Sequence, residues 1–294
     1  MSAVWMLLAS LLFAAMGACV KLAATDFSSG ELVFWRGLFG IVVMVSLARA
    51  TRIRLATPHW RLHASRSLAG AIALLCYFYA LSRLSLATAV TLNYTSPLFV
   101  AVLSVLLHGE RIGRGAMVAI AGGLAGVTLV LQPSLSARLW DGAIAGLACG
   151  AIASFAYLSV RELGRAGEPE VRTVFWFSLT TVVLGAPWLL VGEPRTYGLT
   201  QGLALAGVGG FGAAAQLAMT RAYARGPTVL TACLAYTTVI FSSGIGMLLW
   251  GERPGPASLA GIALIVASGC GVAILSRRPK PAATRIEAPD RCGL

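Results

Sequence analysis

Long apolar runs alternate with short polar breaks along the whole chain. Ten runs stand out, near residues 3–22, 31–48, 67–82, 86–107, 114–132, 142–161, 172–191, 200–221, 228–250 and 256–275. Most approach the roughly 20 residues that a helix needs to cross a bilayer. The breaks carry turn-forming residues, as at Asp26–Gly30, Thr57–Trp60, Gln132–Asp141 and Gly251–Pro256. The pattern predicts an all-α polytopic membrane protein with ten transmembrane helices.

One stretch occurs twice. Residues 92–111 read LNYTSPLFVAVLSVLLHGER, and residues 234–253 read LAYTTVIFSSGIGMLLWGER. At one fixed offset Tyr94 meets Tyr236, Thr95 meets Thr237, and Gly109, Glu110 and Arg111 meet Gly251, Glu252 and Arg253. Such an ungapped match indicates an internal duplication. Residues 1–137 are the expected first five-helix repeat and residues 138–276 the second. Five is an odd number, so the second repeat is expected upside down relative to the first. Inverted repeats are a recurrent plan of secondary transporters, with the substrate near the midplane between them. Residues 277–294 are polar, Pro-rich and basic, and read as a disordered cytoplasmic tail.

Composition agrees. The chain is 57% hydrophobic and 12% charged, against about 25% charged in a soluble domain. Its net charge of +12 suggests nucleic acid at first sight, but no basic, aromatic-interleaved soluble segment is present. The charge reads as topology instead. With the N-terminus inside, seventeen of the 23 Lys and Arg fall in inside segments, five outside, and Arg36 within a span. That bias puts both termini in the cytoplasm of a cell inner (plasma) membrane. The N-terminus lacks a basic region and a cleavage site, so it reads as a retained span. Five of the six cysteines lie in apolar runs without a C-x-x-C pair, and no metal site or cofactor is expected. His59 and His63 have metal-like spacing but lie in an Arg-rich stretch with no third ligand, and read as solvated. Neither lysine sits in a phosphate-binding loop, which excludes a primary pump on this chain alone. No HExxH, GxSxG or mid-span carboxylate pair supports an intramembrane enzyme.

Residues 79–113, YALSRLSLATAVTLNYTSPLFVAVLSVLLHGERIG, resemble the EamA family of the drug/metabolite transporter superfamily. The resemblance rests on the short loop Leu84–Leu86, Pro97 within the fourth span and the Gly109–Arg111 turn, with Lys21 closing the first span and Arg36 in the second. The second half departs from it at Val239, where a proline would stand. The resemblance implies ten helices and a small-metabolite carrier, often an exporter. Family substrates include amino acids, vitamins, nucleoside-like compounds and amino-acid-derived metallophores.

Arg36 is the first candidate binding residue. An in-span arginine costs about 2.5–3.5 kcal/mol on insertion scales, so it should face a cavity or a partner. It either holds an anionic group bidentately or fixes packing, with Glu31 five residues away. Asn93 and Gln216 present amides that need partners. Trp35, Tyr77, Tyr94, Tyr157 and Tyr236 could wall a cavity or stack a ring, or simply pack. Thr228, Thr231, Thr238 and Ser242 share a stripe on the ninth span. Lys21 and Arg161 occupy equivalent helix ends in the two repeats, as do Glu110 and Glu252. These four are candidate gating residues; the simpler alternatives are a cation at a helix C-terminus and a local Glu–Arg turn. The expected function is export of an amino-acid-like metabolite, with uptake of an aromatic vitamin or nucleoside-like compound as the alternative. Expected partners are a small-molecule substrate and the lipid bilayer, with a homodimer as an open option.

Overall fold

The computed structural model describes residues 2–96, 98–99, 114–131, 139–191, 198–225 and 234–275. These form ten helices and, among the described residues, no strand. They are α1 (Ser2–Ala23), α2 (Ser29–Thr51), α3 (Trp60–Arg83), α4 (Leu86–Asn93), α5 (Arg114–Leu131), α6 (Trp140–Arg165), α7 (Glu170–Val191), α8 (Leu199–Arg225), α9 (Thr237–Trp250) and α10 (Pro256–Leu275). Six of them, α1–α3 and α6–α8, are long and apolar enough to cross a membrane. Large apolar side chains such as Leu190, Val191 and Leu248 point outward, each at least 85% exposed. Lipid tolerates such a surface, whereas water would drive it to associate.

Local chemistry sets several helix ends. Ser28 and Glu31 form a capping box at the start of α2: the Ser28 hydroxyl accepts from the Glu31 amide, and Glu31 Oε2 accepts from the Ser28 amide at 2.7 Å. Glu31 is thereby committed to its own helix and not to Arg36. Ser85 caps α4 through the Thr88 amide. Gly251 ends α9 in the left-handed conformation, φ 61°, and the Glu252 amide turns back onto the Gly246 carbonyl.

The fourth and ninth apolar runs are each interrupted at a tyrosine. Helix α4 stops before a turn at Tyr94 and Thr95, and α9 starts after a turn at Tyr236. The same bond covers both breaks: Thr95 Oγ1 donates to the Leu92 carbonyl and Thr237 Oγ1 to the Leu234 carbonyl, each at 2.6 Å. Pro97 and residues 100–113, including the Gly109–Arg111 turn, lie outside the described residues, as do residues 226–233 with Thr228 and Thr231.

Helix packing runs between the halves of the chain. The main partners are α1 with α8, α3 with α6, α2 with α7 and α5 with α10. The first helix of each half thus packs on the third helix of the other. At the α2–α7 crossing small residues let the backbones meet. A Cβ on Gly37 would stand 2.8 Å from the Ser178 carbonyl oxygen, and one on Gly185 would stand 2.7 Å from the Gly30 carbonyl oxygen. A large core cluster joins Phe78, Leu81, Leu86, Leu92, Val208 and Tyr236 from both halves.

Helix α3 begins earlier than hydropathy predicts. It starts at Trp60 and not near residue 67, so His63 and Arg66 belong to the helix and are buried. The reading of His63 as a solvated loop residue is therefore corrected: it is 1% exposed. Its polar ring escapes lipid because it faces Glu168 and Trp176.

Candidate functional site

Arg36 reaches into the bundle from α2 and is 4% exposed. Its guanidinium carbon lies 5.0 Å from the ring centroid of Phe177 on α7. Arg66 comes from α3, is 5% exposed, and stands 4.1 Å from the same centroid. Glycines make room for both. A Cβ on Gly212 of α8 would lie 3.0 Å from Arg36 Nε, and one on Gly70 would lie 3.2 Å from Arg66 Nη1. Arg36 Nε, Arg66 Nε and Arg66 Nη1 are buried without a hydrogen-bond partner, and neither arginine forms an ion pair among the described residues. The two cations lie close enough to repel each other, and Tyr157 of α6 is within electrostatic reach of Arg66.

Five of the other candidate residues fall in two groups. Tyr94 and Tyr236 meet at the two helix breaks, with centroids 5.7 Å apart, and the Tyr94 hydroxyl bonds Thr238 Oγ1 at 2.8 Å. The symmetric pair expected from the repeat is thus a direct contact. Asn93 accepts a bond from Cys149 Sγ of α6 at 3.1 Å. Tyr77 and Tyr157 lie within electrostatic reach of Cys149, and Tyr77 is buried in the core while Tyr157 is 39% exposed. Trp35 packs at the core's margin, edge-on to Phe34. Gln216 is 6% exposed, one helical turn from Gly212 and on the same face of α8.

Two ionic clusters tie the halves together at opposite ends of α1–α3. At the first, Lys21 pairs with Glu252, donates to the Leu84 carbonyl at 3.3 Å, and stands 5.1 Å from the Trp250 ring centroid. Glu252 also accepts from the Leu86 amide at 3.1 Å, at the N-terminus of α4, where the helix dipole favours an anion. Two of the four candidate gating residues therefore meet, and Glu252 does not pair with the neighbouring Arg253. Of the other two, Glu110 lies outside the described residues, and only the backbone of Arg161 is described. A cavity of about 690 Å³ opens at the same end, among Phe27, Tyr79, Arg83 and Trp188, and none of the candidate binding residues lines it.

At the other end Glu168, with a side chain 3% exposed, gathers four groups. Thr57 Oγ1 donates at 2.7 Å, Arg172 Nη1 at 2.7 Å, His59 Nδ1 lies at 3.0 Å and His63 Nε2 at 3.3 Å. Burial pushes the Glu168 carboxyl up, but the bonds from Thr57, Arg172 and His59, with the His63 ring close by, outweigh it and hold the group at about 2.

Arg66, Phe177 and Glu168 are the residues that hydropathy did not reveal. A signal for Arg66 does exist: His59, His63, Arg66, Gly70, Ala73 and Tyr77 follow one another at spacings of four and three, a single helical face. The buried part of that stripe, from His63 onward, starts before the point where the apolar composition sets in.

Comparison with known proteins agrees with this architecture. The chain is 30% identical to the "Pseudopaline exporter CntI" of Pseudomonas aeruginosa, over 86% of this chain and 89% of that protein. It is 30% identical to an "Uncharacterized transporter" of Helicobacter pylori, over 83% and 84%. It is 29% identical to a "Riboflavin transporter" of Rhizobium johnstonii, over 76% and 74%. One crystal structure superposes with a TM-score of 0.69 at 22% identity, covering 94% of this chain and 97% of that one, and so shares the fold. The model of the EamA-like transporter family matches residues 1–132 and again residues 140–275. The chain is a multi-pass membrane transporter, not an enzyme, and belongs to the EamA-like transporter family.

Proposed function

We propose that this protein is an inner-membrane secondary transporter that exports a small polar metabolite, amino-acid-like or amino-acid-derived, by alternating access. Its ten helices act as ten spans in two inverted repeats, residues 1–137 and 138–276, with both termini cytoplasmic. The reciprocal packing of α1 on α8 and α3 on α6 supports the repeat arrangement, as does the matched Thr95 and Thr237 bonding. The observation that carries the substrate reading is Arg36: a buried guanidinium with no carboxylate partner among the described residues. A metabolite carboxylate supplies the missing anion, and Arg offers it two parallel donors. The Lys21–Glu252 pair acts as one gate. Arg161 and Glu110, their equivalents in the repeat, act as its counterpart on the cytoplasmic side, and the two gates open in turn.

The test compares metabolites in cells and medium with and without the protein, then with Arg36→Ala. The wild type should deplete a carboxylate-bearing metabolite from cells and enrich it in the medium, and Arg36→Ala should abolish this at normal membrane abundance. Loss of the protein itself would assign Arg36 to packing. A second reading, uptake of an aromatic vitamin or nucleoside-like compound, draws on the Tyr94–Tyr236 pair and on the relatives named as riboflavin transporters. Depletion of an aromatic compound from the medium would favour it.

A further inference from the structure

We propose that Arg66 completes a two-cation site with Arg36 around Phe177, and that the transported molecule carries two carboxylates. This rests on the carboxylate reading of Arg36 and extends it to a residue and a substrate class. Both guanidiniums are more than nine-tenths buried, and both stand on one aromatic ring, Arg36 at 5.0 Å and Arg66 at 4.1 Å from its centroid. They come from different helices, α2 and α3, and Phe177 comes from the other half of the chain. No ion pair among the described residues reaches either of them. Glu31, the acid nearest to Arg36 in sequence, is held by its capping box, and Glu168, near the start of α3, is held by Thr57, Arg172 and the two histidines.

Two like charges on one aromatic ring in a low-dielectric interior repel and are poorly solvated. Stacking on the Phe177 ring offsets only part of that cost. Packing alone gives no reason to retain both, since a neutral side chain would fill either place. One carboxylate balances one guanidinium and leaves the other unpaired. A molecule with two carboxylates balances both, and two planar forks recognise it in a way that lysines would not. Gly70 and Gly212 keep the two donor sets uncrowded, because a Cβ at either would press on a guanidinium nitrogen.

The experiment uses the purified full-length protein in detergent and follows thermal unfolding against ligand concentration. The probes are L-aspartate, L-glutamate and L-2-aminoadipate, each compared with its side-chain amide. At least one acid should bind about tenfold or more tightly than its amide, the scale of a charge-assisted bond to a buried partner. Arg66→Gln should abolish that preference while leaving amide binding intact, because Arg36 still holds the shared α-carboxylate. Arg66→Lys keeps the charge but loses the planar fork, so the preference should shrink without vanishing, and an undiminished preference would remove Arg66 from the site; this variant serves if Arg66→Gln fails to fold. If acid and amide bind alike in all three pairs, the two-carboxylate inference falls and the single-carboxylate reading of Arg36 stands. A preference that survives Arg66→Gln removes Arg66 from the site. If none of the six compounds binds, the inference and the amino-acid-like reading beneath it both fall.

Discussion

Glu252 reaches across the chain to Lys21 while Arg253, its neighbour, stays exposed. The repeat register marked both ends of this pair in the sequence, but only packing shows which cation the glutamate takes. The side chains are 18% and 14% exposed, so the pair is only partly screened, and a coupling of about 1 kcal/mol is expected. A double-mutant cycle of Lys21→Ala and Glu252→Gln, read by thermal unfolding in detergent, checks it; strictly additive effects would mean that the pair contributes nothing. Glu168 makes a different prediction. Its folded carboxyl sits at about 2, below the ordinary value of 4.5. Its contribution is therefore fully present above about pH 4.5 and is lost as pH falls towards 2. Glu168→Gln should destabilise the protein at pH 7 by on the order of 2–3 kcal/mol, and the gap to wild type should narrow below pH 4.5. The sequence hid this cluster because Thr57, His59 and His63 stand more than a hundred residues from Glu168.

Helices show the same division between what local sequence reveals and what it conceals. Caps at Ser28, Ser85 and Gly251 sit where turn chemistry anticipates them. The start of α3 does not, because the residues before 67 are polar and a hydropathy window takes polarity for solvent. In fact His63 and Arg66 are buried against protein. The breaks at Tyr94 and Tyr236 are half legible: Pro97 announces the first, but Val239 stands at the second, where only the repeat register points to it. Two substitutions test the elements. Gly251→Ala forces an alanine into the left-handed region and should cost about 1 kcal/mol of stability. It should also loosen Glu252, so that Lys21→Ala destabilises the Gly251→Ala protein less than it destabilises the wild type. Gly37→Leu has no room beside Ser178 and Thr181; about 1–3 kcal/mol is expected for such overpacking, seen as reduced abundance in the membrane. Normal abundance and normal transport in Gly37→Leu would mean that α2 and α7 separate freely.

The whole molecule makes two predictions about orientation and energy source. Reporter fusions after Ala56, Arg165 and Pro281 should all report the cytoplasm, and an external signal at Arg165 would end the ten-span count. Among the described residues, the buried acids Glu31 and Glu168 are both bonded at helix or loop ends, and no carboxylate partners Arg36 or Arg66. Flux in proteoliposomes should therefore respond weakly to an imposed pH gradient and strongly to a substrate gradient. Concentrative uptake driven by the pH gradient alone would show that a proton is carried after all. The partnering of each helix with one from the other half has a consequence for biosynthesis. The first half leaves the ribosome while α6–α8, the partners of α1–α3, are still being translated, a wait on the order of ten seconds at ordinary elongation rates. During that time Arg36 and Arg66 lack Phe177, so the nascent chain displays two unshielded cations to the insertion machinery. A fragment ending at residue 137 should be cleared by membrane quality control, and co-expression of the remaining residues as a separate polypeptide should rescue it.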